Sequence, residues 1–381
     1  MSANRSLNSR LAVVAAFVVF VALLPAGAAT PAEEGPAADF SGAWSERDGE
    51  ERLVATYTYR KGKRDGAYSE FGPNGERTAE GDYRDDELLS RYSLEDGRRQ
   101  GPYALFEDGG QIAEGEYADG RLVSRYSLKD EVRDGPYELY NSDGVQTTEG
   151  EYREGRLFSR YVIVNGRRDG PYVVHNREGG ILSEGQYVKG ELDGVQKINQ
   201  DDGSRTEIIY KDGKRNGIEK TWLPSGAIAV EAPWQNGVQT GEVVFYYESG
   251  KVQATLPFEN GKVNGVNKTW HENGALQGEE SYKDNMKDGP SVFWREDGSR
   301  EMVLNYRADQ MDGLQVWYHP NGKKAKEIEI SQGMPNGRWQ EWDESGALIV
   351  DEKYDMGELK KGEGPLPAKP AQAVDAEKTE S

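Results

Sequence analysis

The hydrophobic pattern of the chain consists of short runs that are rich in aromatic and β-branched side chains. Residues 102–106 (PYALF) and residues 291–294 (SVFW) are examples, and runs of this kind alternate with segments rich in Gly, Asn, Asp and Ser. Short runs of this composition between turn residues predict β-strands joined by tight turns. We therefore expect an all-β chain built from hairpins.

A glycine that recurs at a nearly fixed spacing shows that the hairpins are tandem repeats. We call it the key glycine, and its last eight positions are separated by 24 or 23 residues. A second glycine follows each key glycine after nine residues. The key glycines are Gly66, Gly101, Gly135, Gly170, Gly194, Gly217, Gly241, Gly265, Gly289, Gly313 and Gly337. A fixed period of a few tens of residues is typical of repeat architectures.

Two further positions of the repeat carry large side chains. The position five residues after the key glycine, here called the slot, is aromatic in nine repeats, while His175 and Asn199 occupy it in the other two. The position seven residues before the key glycine is large and apolar in most repeats, as in Tyr59 and Trp234. Pairs such as Asn74-Gly75 and Asn273-Gly274 lie between the runs, where a hairpin turn needs a positive φ. The aromatic slot residues are Phe71, Phe106, Tyr140, Trp222, Tyr246, Trp270, Trp294, Tyr318 and Trp342.

The first three spacings are 35, 34 and 35 residues because each long repeat contains an insertion of eleven residues. The insertions, residues 84–94, 118–128 and 153–163, resemble one another, and each contains Ser-Arg-Tyr. An extra strand per unit is the simplest interpretation. The sequence thus predicts an N-terminal array of long repeats over residues 39–187 and a C-terminal array of 24-residue repeats over residues 188–361.

The two ends of the chain differ in composition from the arrays. Residues 1–28 combine Arg5 and Arg10, an apolar run at 11–24 and the small residues before position 29, which is typical of a secretory signal cleaved near Ala28. A retained N-terminal membrane anchor is the alternative. Residues 29–38 and 362–381 are rich in Pro, Ala and Glu without aromatic residues, so we expect a disordered linker and a disordered tail. The predicted location is outside the cytoplasm, periplasmic or extracellular.

The repeat resembles the membrane occupation and recognition nexus (MORN) repeat in its bacterial variant form. Residues 210–217 (YKDGKRNG), followed by Trp222 and Gly226, show the pattern most clearly. The resemblance implies an elongated single-sheet solenoid of tandem β-hairpins. It also implies attachment to proteins or membrane surfaces, and some bacterial relatives carry an antitoxin label.

Composition limits the chemistry that the chain can perform. The formal net charge is -20, from 67 acidic and 47 basic residues, which argues against a nucleic-acid partner. The absence of cysteine excludes disulfides, thiolate metal sites and thiol nucleophiles. The three histidines lie in separate repeats, and we expect His271 and His319 to be solvated. Carboxylates such as Glu80, Glu114 and Glu149 recur at equivalent positions, which favours solvated strand positions over acid–base chemistry. We expect no catalytic, cofactor or metal site, and therefore no enzyme.

Two sets of recurring residues are candidates for a binding surface. Trp222, Trp270, Trp294 and Trp342 share the slot and should line up along one face, either as a packing spine, which the single-layer sheet favours, or as an exposed binding stripe. Arg91, Arg125 and Arg160 share the insertion position and should form a local basic row, for which pairing with acids across strands is the simpler interpretation.

The function that these patterns favour is a non-catalytic exported protein that acts as a protein-binding or scaffolding surface in the cell envelope. Binding to an envelope glycan or a membrane surface through the aromatic row is the first alternative. Neutralisation of a toxin, as an antitoxin or immunity protein, is the second.

Overall fold

A computed structural model describes residues 35–363 and the side chains as far as Lys360. The predicted signal, residues 29–34 of the predicted linker and residues 364–381 of the predicted tail lie outside the described residues. Residues 35–38 run irregularly towards Phe40, whose carbonyl accepts a 2.8 Å hydrogen bond from the Gly62 amide. The prediction of an all-β chain is confirmed, because residues 35–363 form strands and turns without a helix.

Thirty-three strands follow one another in a single sheet. They are β1 (Gly42–Arg47), β2 (Leu53–Arg60), β3 (Lys63–Phe71), β4 (Arg77–Arg84), β5 (Glu87–Glu95), β6 (Arg98–Glu107), β7 (Gly110–Ala118), β8 (Arg121–Lys129), β9 (Val132–Tyr140), β10 (Gln146–Arg153), β11 (Arg156–Val164), β12 (Arg167–His175), β13 (Ile181–Val188), β14 (Glu191–Leu192), β15 (Gly194–Asn199), β16 (Arg205–Lys211), β17 (Lys214–Arg215), β18 (Gly217–Trp222), β19 (Ile228–Gln235), β20 (Val238–Gln239), β21 (Gly241–Tyr246), β22 (Val252–Glu259), β23 (Lys262–Val263), β24 (Gly265–Trp270), β25 (Leu276–Lys283), β26 (Met286–Trp294), β27 (Arg300–Arg307), β28 (Gln310–Met311), β29 (Gly313–Tyr318), β30 (Lys324–Ser331), β31 (Met334–Trp342), β32 (Leu348–Asp355) and β33 (Glu358–Glu363).

The sheet is an antiparallel meander in which each strand pairs with its neighbours in the chain. Five two-residue strands, such as β14, pair with the same neighbour as the strand that follows them, so each such pair acts as one interrupted strand. The predicted insertions form β5, β8 and β11, which confirms the extra strand in each long unit. The result is a single-layer β-hairpin solenoid with open edges at β1 and β33.

Two kinds of turn reverse the chain, and each uses a positive φ. At one end of the strands the turns place a glycine at positive φ, between 77° and 91° at Gly75, Gly144, Gly226, Gly274, Gly298 and Gly322. At the other end of the strands the turns have two residues with positive φ, as in Asp212 (47°) and Gly213 (72°). This combination identifies type I′ turns, whose twist matches that of the strands.

The key glycine forms a bulge at the same place in every repeat. Its φ is positive at all eleven positions, between 72° at Gly241 and 140° at Gly217. The residue before it is polar, and in six repeats its side chain accepts a hydrogen bond from an amide of the next turn, as Oε1 of Gln100 does from the Asp119 amide at 2.7 Å. Many of the acidic residues therefore belong to bulges and turns.

Residues directly opposite each other on neighbouring strands share a face, so the register assigns every strand residue to one of two faces. One continuous row, here called the central row, defines face 1. It runs through Tyr57, Tyr68, Gly81, Arg91, Ala104, Glu114, Tyr126, Tyr137, Gly150, Arg160, Val173, Glu184, Lys197, Glu207, Lys220, Glu231, Val244, Thr255, Lys268, Glu279, Val292, Val303, Val316, Glu327, Gln340 and Asp351.

The long units alternate between the two faces. Tyr57, Tyr68 and Tyr137 lie in the central row of face 1, whereas the equivalent Tyr103 pairs with Tyr92 in the neighbouring row, on face 2. Three strands reverse the chain direction, so successive long units are related by a half-turn about the long axis of the sheet. Short units have two strands and keep every equivalent residue on one face.

The type I′ turns that lack glycine provide a test of local strain. Glu131 has a φ of 63°, which costs a non-glycine residue about 1 kcal/mol. We expect Glu131→Gly to raise the free energy of unfolding by about 1 kcal/mol, measured by urea denaturation. Asp309→Gly is the matched control: φ is 68°, but Oδ1 of Asp309 accepts a 2.7 Å hydrogen bond from the Lys287 amide, so the gain should be largely cancelled. Equal effects of both substitutions would contradict this account.

Candidate binding surfaces

Clusters of three tyrosines and one arginine form the core of the long-repeat array. In one cluster the Tyr126 and Tyr137 rings stack with centroids 5.7 Å apart, and Tyr152 meets Tyr137 edge-on at 5.2 Å. Cζ of Arg133 lies 3.7 Å from the Tyr126 centroid, a cation–π contact, and Nε of Arg133 donates a 2.8 Å hydrogen bond to Glu114. Tyr137 is only 4% exposed. Stacking within the cluster thus buries an aromatic core without a second layer.

The same cluster occurs four times, twice on each face. Arg64, Arg99 and Arg168 contact tyrosine rings as Arg133 does. Arg99 and Arg168 pair with Glu80 and Glu149 at 2.9 and 2.8 Å. These carboxylates, like Glu114, were expected to be solvated strand positions, and the structure shows half-buried ion pairs instead. Sequence reasoning missed the arginines, although each lies two residues before a key glycine.

Burial makes the phenols of the clustered tyrosines weaker acids than free tyrosine. Desolvation raises the pKa of Tyr103 and of Tyr137 from the usual 10 to about 12. The folded state therefore favours the neutral phenol. The stability that this contributes is complete below pH 10, where the unfolded phenol is also neutral, and is lost as the pH rises from 10 through about 12.

We therefore expect the free energy of unfolding to be constant between pH 8 and 9 and to fall between pH 10 and 12. Urea denaturation at each pH, with tyrosinate absorbance recorded in parallel, measures both effects. Tyr103→Phe combined with Tyr137→Phe should make the decline shallower, because phenylalanine cannot ionise. An unchanged slope in that variant would contradict the assignment.

The structure does not bring Arg91, Arg125 and Arg160 into one row. Arg91 and Arg160 lie on face 1, opposite Gly81 and Gly150, whereas Arg125 lies on face 2. The predicted basic row is wrong because a unit of three strands inverts the face of its successor. Arg91 pairs with Glu70 through an Nη2–Oε2 contact of 2.9 Å, as expected from cross-strand pairing, while Arg125 and Arg160 have no ion pair within residues 35–363.

Trp222, Trp270, Trp294 and Trp342 do share one face. Each lies two residues beyond the central row, on face 1, and Tyr246 and Tyr318 occupy the same position between them. We call these six residues the aromatic stripe. All six are half-buried. Of the six buried apolar residues in the same array, five, such as Ile208 and Val243, lie on face 2, and only Val316 lies on face 1, so the main packing spine is not the stripe.

Apolar and cationic side chains separate the aromatic rings of the stripe. Ile228, Val252, Leu276 and Leu348 lie opposite four of them. Opposite Trp294 and Tyr318 are Arg300 and Lys324, each of which contacts the next ring of the stripe. The first part of the stripe is thus apolar, and the second part alternates aromatic and basic groups.

A ladder of hydrogen bonds fixes the backbone of the stripe. Nε2 of His271 and of His319 donate to the carbonyls of Trp294 and Trp342 at 2.9 and 2.8 Å. The Tyr247 hydroxyl donates in the same way to the Trp270 carbonyl at 2.7 Å. The expectation that these histidines are solvated is therefore wrong, because each of them links its turn to the next repeat.

Beside the stripe, the central row of face 1 carries ion pairs across neighbouring strands. Nζ of Lys220 lies 2.8 Å from Glu231, and Nζ of Lys268 lies 3.0 Å from Glu279. The Lys220 ammonium and the hydroxyl of Tyr246 lower the pKa of the Glu231 carboxyl. Opposite charges alternate, so this row is close to neutral although the whole chain is strongly acidic.

Residues 35–363 contain no helix that is long and apolar enough to cross a membrane. Nor does this region hold a group of three or more His, Cys, Asp or Glu side chains placed to bind a metal ion.

Comparison with solved structures finds large toxin assemblies. A Photorhabdus luminescens Tc holotoxin pore is 10% identical, with 84% of this chain and 23% of that chain covered and a TM-score of 0.15. A complex of TcdB2, TccC3 and Cdc42 is 11% identical, with 82% and 20% covered and a TM-score of 0.13. The chain thus spans less than a quarter of each of these two chains. No curated protein gives a significant match.

The sequence profile of one repeat family does match. The family described as MORN repeat variant matches residues 239–260, 263–284 and 311–331, all within the array of short repeats. These segments cover hairpins whose key glycines and slot residues keep the spacing found along the rest of the sheet. The chain therefore carries MORN variant repeats.

Proposed function

We propose that the protein is an exported, non-catalytic repeat protein that presents the aromatic stripe to a protein partner in the cell envelope. The observation that carries the proposal is the half-exposure of six aromatic side chains in line on face 1. Aromatic side chains give large contact areas at low entropic cost and are enriched at the centres of protein interfaces. The signal-like sequence of residues 1–28 supports export.

The stripe is suited to binding because its backbone is held in place before a partner arrives. The hydrogen bonds from His271, His319 and Tyr247 fix successive turns. Binding a partner therefore costs little conformational entropy in this part of the backbone. The turns and bulges carry acidic groups, which keep the edges of the sheet soluble. The stripe also leaves the neutral central row beside it available for contact.

Affinity capture of residues 29–381 from the native envelope, followed by mass spectrometry, tests the proposal. The test variant is Trp294→Ser combined with Trp342→Ser, and the control is Tyr140→Ser, a slot residue on face 2. We expect one reproducible protein partner that the double variant loses and the control retains. Thermal denaturation confirms that each variant is folded.

Other outcomes would replace the proposal. Loss of capture after glycan digestion would identify an envelope glycan as the ligand of the stripe. Capture of a toxin whose activity the protein abolishes would support the immunity role. A partner retained by both variants would show that the stripe is not the binding surface.

A further inference from the structure

The stretch of face 1 between β15 and β25 carries three parallel rows. The central row there holds Lys197, Glu207, Lys220, Glu231, Val244, Thr255, Lys268 and Glu279. On one side lies the first half of the aromatic stripe, with the apolar residue opposite each ring: Trp222 with Ile228, Tyr246 with Val252 and Trp270 with Leu276. On the other side lies an outer row, formed by Val195, Ile209, Ile218, Pro233, Glu242, Pro257, Val266 and Ser281. We call these three rows the docking patch.

The apolar members of the outer row are unusually exposed. Val195 and Ile218 are each 46% exposed and Val266 is 43% exposed. A sheet face with two apolar rows is normally covered by a second layer of secondary structure. Residues 35–363 supply no such layer, because every described strand belongs to the single sheet.

The charges of the central row are complementary to the same row read in reverse. Consider a two-fold axis that runs parallel to the strands and passes between β19 and β21. It places Lys197 opposite Glu279 of a second copy and Glu207 opposite Lys268. Lys220 then faces Thr255, and Glu231 faces Val244. No position brings two like charges together.

The flanking rows match under the same operation. In the outer row Ile209 meets Val266, and Ile218 meets Pro257. In the stripe, Ile228 meets Tyr246 and Trp222 meets Val252. Arg205, which lies opposite Trp222 on β16 and contacts its ring, faces Trp270 of the second copy, a pairing that suits a cation–π contact. An interface of this kind, in which one surface contacts itself, is the normal arrangement of a two-fold dimer.

The size of the docking patch is sufficient for a stable dimer. Eight strands span about 38 Å and five residues span about 17 Å, which gives about 650 Å² for each copy. The total of about 1,300 Å² lies at the lower end of the range of specific interfaces. Aligned sheets pack about 10 Å apart with a small angle between their strands.

We propose that the partner of the docking patch is a second copy of this chain, packed sheet on sheet about that two-fold axis. The inference rests on the proposed function for the general role of face 1. The dimer interface uses only part of the aromatic stripe. Trp294 and Trp342 lie beyond the docking patch and remain available to another partner.

Sedimentation velocity of residues 29–381 at concentrations from about 1 to about 100 µM tests the dimer, because interfaces of about this size associate at micromolar concentration or more tightly. We expect a dimer at the upper concentrations. Val266→Glu should raise the dissociation constant at least about tenfold, because the two-fold axis introduces the change twice. The matched control is Leu314→Glu, at the same repeat position and 40% exposed but outside the patch, which should leave the dimer intact.

A charge exchange tests the orientation. Lys268→Glu alone should weaken the dimer, since the new carboxylate faces Glu207 of the second copy, and addition of Glu207→Lys should restore it. Circular dichroism and thermal denaturation show whether each variant folds. A wild-type monomer at all concentrations would overturn the dimer while leaving the capture experiment on the stripe to decide the proposed function. Equal loss in Leu314→Glu, or a patch that binds a glycan or another protein instead, would also overturn it.

Discussion

Tyr137→Ala should lower the free energy of unfolding by about 4 kcal/mol, in the range observed when buried aromatic residues are truncated. The Tyr137 ring is 4% exposed and contacts the rings of Tyr126 and Tyr152, so its removal leaves a cavity between two strands. Because a repeat contacts only its neighbours, the loss should be concentrated in the long-repeat array. Guanidinium denaturation followed by tyrosine fluorescence measures the change.

Tyr137→Phe is the matched control for this substitution. It keeps the ring and removes only the hydroxyl, so we expect a change below about 1 kcal/mol. A cost in the phenylalanine variant close to that of alanine would show that the hydroxyl, and not the ring, stabilises the cluster. That result would contradict the stacking account.

Gly150→Ala should be the second most damaging change, at about 3 kcal/mol, because overpacking displaces backbone. A Cβ atom at Gly150 would lie 2.0 Å from the Ser159 carbonyl oxygen and 2.4 Å from Cε1 of Tyr137. The Tyr137 ring covers this glycine and packs directly against its backbone. Thermal and urea denaturation of the variant measure the cost.

Gly110→Ala is a control in the same array. The nearest atom to its added Cβ is the Glu107 carbonyl oxygen at 3.6 Å, an ordinary contact, so the substitution should be nearly neutral. If both alanine variants were equally stable, the aromatic ring could not lie over Gly150 as described.

Much of the fold could be predicted from the sequence because the repeat is encoded locally. The key glycines mark bulges, and pairs such as Asn74-Gly75 mark turns, so the spacing of these residues alone predicts hairpins and their order. The insertions that contain Ser-Arg-Tyr were correctly predicted to form extra strands. A position shared by Trp222 and Trp342 was likewise sufficient to place both on one face, because a unit of two strands repeats by translation.

The face of a residue in the long array could not be predicted in this way. A residue's position in the repeat does not determine its face there, because each unit of three strands leaves the next unit running in the opposite direction. Arg91 and Arg125 are equivalent in sequence and point to opposite sides of the sheet. The inserted third strand reverses the chain direction of the following unit. This reversal places equivalent arginines on opposite faces and excludes a basic row.

The clusters around Arg99 and Arg133 escaped prediction for a different reason. Arginine two residues before a key glycine looks like a solvated strand residue, and only the stacking of two tyrosine rings makes it part of the core. The contacts of His271 and His319 with carbonyls 23 residues further on also depend on the spacing of neighbouring turns in three dimensions.

The central claim is that the chain forms one extended layer, so that both faces are surface. If the five interrupted pairs are each counted as one strand, the sheet has 33 minus 5, or 28, strands, which predicts a length of about 130 Å. Small-angle X-ray scattering of the Val266→Glu variant, chosen to remain monomeric, measures this directly. We expect a maximum dimension near that length and a cross-section typical of a single sheet. A compact particle of about 60 Å, the size of a globular domain of this mass, would contradict the account.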